Sequence, residues 1–170
     1  MNYPSTEPYF QAAREGDAAR LQMLLGSQPD RANMENEEGL TLLGYAAHYG
    51  QVEAVRVLIE EGADINAVSH SRISYIPSNT ALHAAIAGER NMDVIRLLLS
   101  HQADTRIFDS NGHTCLHTAA YHDDNTGLIR LLLEHGADIH ARLGEGESAL
   151  SLAEKQGNHQ VAELLKQYGA

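Results

Sequence analysis

The sequence predicts an all-α solenoid built from five short helix–turn–helix repeats. Three observations predict it: a recurring tripeptide, a regular spacing between its copies, and apolar residues at fixed distances from each copy. The tripeptide is Gly-Ala-Asp at 62–64 and 136–138 and Gln-Ala-Asp at 102–104, with weaker copies at 28–30 and 169–170. Repeats of this size cannot bury their apolar faces alone, so they are expected to lie side by side.

The spacing of the copies gives the repeat boundaries. Their first residues are 34, 40, 34 and 33 residues apart, which indicates a repeat of 33 or 34 residues with one insertion. A chain of 170 residues has the length of one domain. We therefore predict a single domain over 1–170, with repeats at about 5–37, 38–70, 78–109, 110–143 and 144–170.

Each repeat is predicted to carry a longer second helix with one apolar face. Apolar residues recur seven, four and three positions before each tripeptide copy, a spacing that places them on one helical stripe. The residues four positions before are Leu24, Leu58, Leu98, Leu132 and Leu165.

A shorter first helix precedes the second. A hydroxyl residue that suits a helix N-cap is expected to open it, at Thr41, Thr80, Thr114 and Ser148. Small residues follow the hydroxyl residue, and glycines are placed where the helix pair must turn. The first repeat lacks this opening pattern, so its first helix is expected to be short. Glu154 and Lys166 interrupt the apolar pattern of the last repeat and indicate a C-terminal cap.

Two segments carry a family resemblance. Residues 80–85 (Thr-Ala-Leu-His-Ala-Ala) and 114–120 (Thr-Cys-Leu-His-Thr-Ala-Ala) resemble the Thr-Pro-Leu-His-x-Ala-Ala signature of ankyrin repeats, and 131–139 resembles the closing part of that pattern. The resemblance extends over about residues 8–170. The chain departs from it at the proline position and twice at the histidine position, with these residues: Leu42, Ala81, Cys115 and Ala149, then Gly44 and Ser151.

The resemblance implies an ankyrin-repeat solenoid whose loops project as β-hairpin-like fingers beside a concave groove. It also implies a non-catalytic protein–protein interaction module that acts as an adaptor, an inhibitor or a chaperone. His83 and His117 occupy the signature histidine, for which the family implies a structural role. The family's usual contact positions fall on these residues: Leu40, His48, Tyr49, Phe108, Asn111, His113, Tyr121, His122, Arg142, Glu145 and Lys155. Aromatic side chains are enriched among residues that dominate binding energy, which favours Tyr49, Phe108 and Tyr121 as anchors.

The insertion predicts an extended finger over residues 68–79, six residues longer than its counterparts. It contains Arg72, Ile73, Tyr75 and Ile76. Two interpretations stay open: these side chains fold back as a small apolar cluster, or they contact a partner protein.

Charge and motifs exclude several functions. Twelve Lys and Arg against 23 Asp and Glu leave a formal charge of −11, which disfavours nucleic acid and anionic membranes and favours a partner with a basic surface. Cys115 is alone, so no internal disulfide is expected. The sequence contains no phosphate-binding glycine loop or nucleophile motif, and we expect no enzyme activity and no cofactor. The N-terminus lacks a secretory signal pattern, which predicts a cytoplasmic protein. A five-repeat chain with short termini resembles compact bacterial ankyrin proteins, and we expect it to be monomeric.

The ten histidines support one alternative function. None belongs to a recognised metal-ligand motif, yet the fourth repeat collects His113, His122, Asp123 and Asp124. The alternative is a protein that binds a metal or a small ligand with the histidines of that repeat.

Overall fold

The structure, a computed structural model, describes residues 5–26, 28–144 and 146–170. The chain divides into two compact units with the boundary after Ala103. Within the described ranges it forms eleven helices, no strand and one isolated bridge between Glu35 and Thr41. The predicted all-α class is therefore confirmed. No helix in these ranges is long and apolar enough to cross a membrane.

The first unit contains three helix pairs and one single-turn helix. The helices of its second pair pack against their counterparts in the first and third pairs, so that α4 touches α1 and α6 while α5 touches α2 and α7. The helices are α1 (Glu7–Glu15), α2 (Ala18–Leu25), α3 (Pro29–Ala32), α4 (Leu42–His48), α5 (Val52–Glu60), α6 (Ala81–Ala87) and α7 (Met92–Ser100).

The second unit contains two helix pairs. Their first helices, α8 and α10, pack against each other, as do their second helices, α9 and α11. Leu116, Leu128 and Leu132 are among its fully buried side chains. The helices are α8 (Cys115–His122), α9 (Thr126–Glu134), α10 (Ala149–Gln156) and α11 (His159–Gln167).

The predicted N-caps are confirmed for all four hydroxyl residues. The Thr41 hydroxyl accepts a hydrogen bond from the Gly44 amide at 3.1 Å. At the other three caps, the side chain of the residue three positions later forms a hydrogen bond with the cap residue. The pairs are Thr80 with His83 Nδ1 at 2.9 Å, Thr114 with His117 Nδ1 at 2.8 Å, and the Ser148 amide with the Ser151 hydroxyl at 2.9 Å. The signature histidines thus stabilise helix starts, and a serine replaces them in the last repeat.

Two expectations about the first repeat are wrong. Its first helix is nine residues long, because Pro8 lies in the first turn, where proline's missing N–H and fixed φ are compatible with a helix. Leu24 is only half-buried, whereas Leu25 is fully buried. The reason is that α2 already ends at Leu25, before Gly26. The weak tripeptide copy at 28–30 lies at the start of α3 and does not mark the end of a second helix. Counting back from this copy therefore does not identify the buried positions of α2.

Side-chain amides tie neighbouring repeats together within each unit. In three repeats, the residue just before the second helix donates its side-chain N–H to a backbone carbonyl near the end of the preceding repeat's first helix. A carbonyl at a helix C-terminus has no partner within its own helix, so these bonds satisfy groups that the helix leaves open. They join Gln51 to Arg14 (2.8 Å), Asn91 to Gly50 (3.0 Å) and Asn158 to Ala120 (2.9 Å).

One turn position has an unusual backbone conformation. Gly62 and Gly136, which follow α5 and α9, adopt positive φ angles of 94° and 82°. Gln102 occupies the same place after α7 with a φ of 66°. A side chain is disfavoured in this left-handed region, so the third repeat carries local strain that glycine avoids.

Candidate partner-binding surface

The extended finger in the first unit is a closed loop with an ordered base. Ser69 and Asn79 face each other: the Ser69 amide donates to the Asn79 carbonyl at 2.9 Å, and the Asn79 amide donates to the Ser69 hydroxyl at 3.0 Å. One step further out, the Ser71 amide donates to the Ser78 hydroxyl at 3.1 Å. Serine hydroxyls therefore replace part of a hairpin ladder, which holds the finger together without a strand.

The finger also packs on the turn of the preceding repeat. The amides of His70 and Arg72 donate to the carbonyls of Gly39 and Glu38, each at 2.9 Å. The Arg72 guanidinium donates to the Glu37 carbonyl at 3.2 Å. Gly39 is buried and has a φ of 77°, and a Cβ atom built there would lie 2.6 Å from the His70 carbonyl carbon. Glycine is therefore required at this position for the finger to approach so closely.

The side chains at the finger tip differ in exposure. Ile73 and Ile76 are half-buried, and the Ile76 amide donates to the Ile73 carbonyl at 3.1 Å across the tip. Tyr75, between them in sequence, is 83% exposed. The partial burial of the isoleucines is compatible with the first interpretation of the insertion, and Tyr75 has the exposure that the second requires, so both interpretations stay open.

Acidic residues lie next to the N-terminal half of the finger. Glu37 and Glu38 are exposed beside Arg72. The His70 ring lies next to the carboxylate of Glu35, with Nδ1 and Oε1 separated by 2.7 Å. We define the finger surface as Glu37, Glu38, Arg72 and Tyr75.

A second surface in the first unit is aromatic. The rings of Phe10 and Tyr45 meet edge to face at 5.2 Å between centroids, and Tyr45 meets Tyr49 in the same way at 5.1 Å. His48 is exposed at the end of α4 and packs against Tyr49 at 5.1 Å. The Arg14 guanidinium lies 5.2 Å from the centre of the Tyr49 ring, within the range of a cation–π interaction. We call these five residues the aromatic cluster.

The electrostatics of the aromatic cluster reflect its partial burial. Burial raises the pKa of Tyr45, and the hydrogen-bonded side chain of Tyr49 raises it further. The Tyr45 phenol therefore stays neutral at physiological pH and can donate or accept hydrogen bonds. Tyr49 and His48 were predicted contact residues, whereas the half-buried Tyr45 was not predicted, and Phe10 is buried in the core. Leu40, also predicted, is half-buried, and its amide donates to the Asn36 side chain at 2.9 Å.

In the second unit, the predicted aromatic anchors are about half exposed. The exposed fraction is 51% for Phe108 and 46% for Tyr121. The Tyr121 ring packs edge to face on His122 at the end of α8, with 5.2 Å between centroids. Both aromatic side chains keep enough free surface to contact another protein.

The other predicted residues of the second unit have local partners. The amides of Asn111 and His113 donate to the buried Asp109 carboxylate at 2.9 and 2.8 Å. Arg142 donates to the Gly146 carbonyl at 3.3 Å, and Lys155 pairs with Glu147. Glu145 lies outside the residues that the structure describes.

The predicted histidine and aspartate cluster of the fourth repeat does not form a metal site among the described residues, where no group of three or more potential ligands comes together. One of its members has another role that the sequence did not show. The Asp124 carboxylate accepts hydrogen bonds from the Gln160 and Val161 amides at 3.2 and 2.8 Å, at the N-terminal turn of α11. This carboxylate therefore satisfies open helix donors of the next repeat.

Two buried titratable groups serve the core. Burial raises the pKa of the Cys115 thiol, which is fully buried, so the nucleophilic thiolate does not form at neutral pH. Burial also lowers the pKa of His117, and the ring of His113, 6.3 Å away between centroids, lowers it further. Both effects favour neutral side chains inside the second unit.

Comparison with protein families gives three overlapping matches to one model, described as "Ankyrin repeats (3 copies)", over residues 9–109, 71–143 and 91–170. Individual relatives are similar over parts of the chain. The chain is 40% identical over 75 residues to the human NAD-capped RNA hydrolase NUDT12, which is 44% of this chain and 15% of that protein. It is 41% identical over 63 residues to human ankyrin repeat domain-containing protein 29, which is 37% of this chain and 21% of that protein.

A plant relative matches a longer segment. The chain is 36% identical over 96 residues to the probable E3 ubiquitin-protein ligase XBOS33 of Oryza sativa subsp. japonica. That segment is 56% of this chain and 17% of the ligase. The chain thus spans about a fifth or less of the length of these three relatives.

Proposed function

Because the chain belongs to the ankyrin-repeat family, we propose that it is a non-catalytic module that binds a partner protein. Binding takes place in the first unit, through the groove beside the first helices and through the extended finger. The aromatic cluster is the observation that carries this proposal. It presents tyrosine, histidine and arginine side chains at the ends of α1 and α4. Tyrosine and arginine are enriched among residues that dominate the energy of protein interfaces.

Several features support binding over catalysis. The lone cysteine is buried with a raised pKa, and Asp124, a member of the candidate metal cluster, accepts hydrogen bonds from backbone amides. No observation in the described part of the chain favours the metal-binding alternative. The exposed polar and aromatic side chains can change without disturbing the buried leucines, which is the physical basis for partner recognition by a repeat surface.

The proposal is tested by site-specific cross-linking in cells of the organism that naturally produces the protein. A photoreactive benzoylphenylalanine replaces His48, in the aromatic cluster, or Arg56, an exposed residue of α5 that serves as the control. We expect a discrete protein adduct from position 48 that position 56 does not yield. The same adducts from both positions, or none from position 48, would contradict binding through this surface.

The purified partner then distinguishes three roles. An inhibitor lowers the partner's activity when it is added at equal concentration. A chaperone protects the partner from aggregation on heating, and an adaptor recruits a third protein to the complex. Isothermal titration with His48→Ala and with Arg14→Ala connects each outcome to the aromatic cluster, because both side chains contact Tyr49.

A further inference from the structure

The extended finger carries Tyr75, an aromatic side chain that is 83% exposed. We propose that Tyr75 inserts into an apolar cavity of the partner protein and that lysine or arginine side chains form the rim of that cavity. This inference rests on the proposed function and adds the chemistry of the partner's binding site.

The first step of the argument is the contrast between neighbouring side chains. Ile73 and Ile76 are half-buried, so the folded finger shields part of their apolar surface. Tyr75 stays 83% exposed in the same turn. A tyrosine ring has a large apolar surface and a polar hydroxyl, and such side chains gain most when they are buried in a pocket that leaves the hydroxyl a partner.

The second step is the rigidity of the finger. Four backbone amides fix it from both sides: those of Ser69 and Ser71 bond across the finger, and those of His70 and Arg72 bond to the preceding turn. A ring held on a fixed loop loses little conformational entropy on binding, because the loop is already ordered. The geometry therefore favours Tyr75 as a preorganised anchor.

The third step is the charge around the anchor. Glu37 and Glu38 are exposed, while the Arg72 guanidinium is bonded to the Glu37 carbonyl. Tyr75 is three residues from Arg72, so their Cα atoms lie within about 11 Å. At 20 mM salt the Debye length is about 20 Å, so the carboxylates of Glu37 and Glu38 act on a surface that receives Tyr75, whereas at physiological salt, where the Debye length is about 8 Å, that action is largely screened. A basic rim complements this field.

The test uses the purified protein that cross-links at position 48, so the probe is identified independently of Tyr75. Binding rates are measured at 20 mM and 150 mM salt, where the Debye length is about 20 Å and about 8 Å, respectively. Three variants are compared with the wild-type chain. They are Tyr75→Ala, the double variant Glu37→Gln/Glu38→Gln, and Met23→Ala, a control whose side chain is 75% exposed on α2.

We expect Tyr75→Ala to weaken binding about 30-fold, mainly through faster dissociation. The double glutamine variant should associate about 3-fold more slowly at low salt and show a weaker salt dependence. Met23→Ala should bind within about 2-fold of the wild-type chain. Circular dichroism confirms the fold of each variant before binding is measured.

Different failures overturn different statements. Binding of Tyr75→Ala within 2-fold of wild type would overturn the anchor, and the proposed function would stand if His48→Ala still weakened binding. An unchanged salt dependence in the double variant would overturn the basic rim. Absence of any protein cross-linked at position 48 would overturn the proposed function and this inference together.

Discussion

Replacement of Gly39 by alanine tests how the finger is held in place. A Cβ atom at this position would lie 2.6 Å from the His70 carbonyl carbon and closer still to its oxygen. Carbon atoms in ordinary contact are about 3.5 Å apart or more, so the finger must move away from the turn. That movement breaks the hydrogen bonds from the His70 and Arg72 amides to the Gly39 and Glu38 carbonyls.

A matched control separates this clash from the strain of a positive φ angle. Gly112 has a φ of 83°, close to the 77° of Gly39, and a Cβ atom there would meet nothing within 4 Å. The two turns are built alike. The Asn36 side chain accepts from the Glu38 and Leu40 amides, as Asp109 does from the amides of Asn111 and His113.

The expected magnitudes follow from these contacts. Each alanine costs about 1 kcal/mol because a side chain is disfavoured at positive φ. Gly39→Ala loses two further hydrogen bonds worth about 1 kcal/mol each, so its total cost is about 3 kcal/mol. Urea unfolding followed by circular dichroism measures both values, and hydrogen exchange at the His70 and Arg72 amides reports the local change. Equal destabilisation by the two variants, with unchanged exchange at both amides, would refute the close-approach argument.

Three further changes test other parts of the structure by urea unfolding. Gln102→Gly should raise the free energy of unfolding by about 1 kcal/mol, because it removes a side chain from a φ of 66°; no gain would show that this turn is unstrained. Asp124→Ala should lower it by about 1 kcal/mol through loss of hydrogen bonds to the start of α11, whereas Glu163→Ala on the exposed face of that helix should have little effect. The pKa of His117 is lowered in the fold, so the unfolded chain binds a proton more readily and stability falls as the pH drops below about 6.5; His117→Gln should flatten this dependence, and identical pH profiles would contradict the assignment.

The sequence alone predicted the elements whose signals are local. Thr41, Thr80, Thr114 and Ser148 open helices because a hydroxyl at that position satisfies amides only two or three residues away. Apolar periodicity predicted the buried faces of the second helices because one side of each helix must face a neighbour. The first repeat was the exception, since α3 interrupts the register that the other repeats share.

Features that depend on distant residues could not be predicted. The approach of the finger to Gly39 joins segments 31 residues apart, and the bond of Asp124 to Val161 joins segments 37 residues apart. The sequence places Ile73, Tyr75 and Ile76 in the finger, but it does not predict how exposed each side chain is. The exposure of each side chain depends on the folded loop, which hydrogen bonds within the finger and to the preceding turn hold in place.

The side-chain amides of Gln51, Asn91 and Asn158 have a consequence for how such a chain lengthens or shortens. Each reaches a carbonyl of the previous repeat, 37, 41 and 38 residues earlier. A duplication or deletion of one whole repeat carries both a donor and an acceptor for such bonds, so the junctions that have them can keep them. A gene rearrangement that cuts within a helix pair separates the side-chain amide from its carbonyl acceptor. Insertion or deletion of whole repeats is therefore the change that best preserves these contacts.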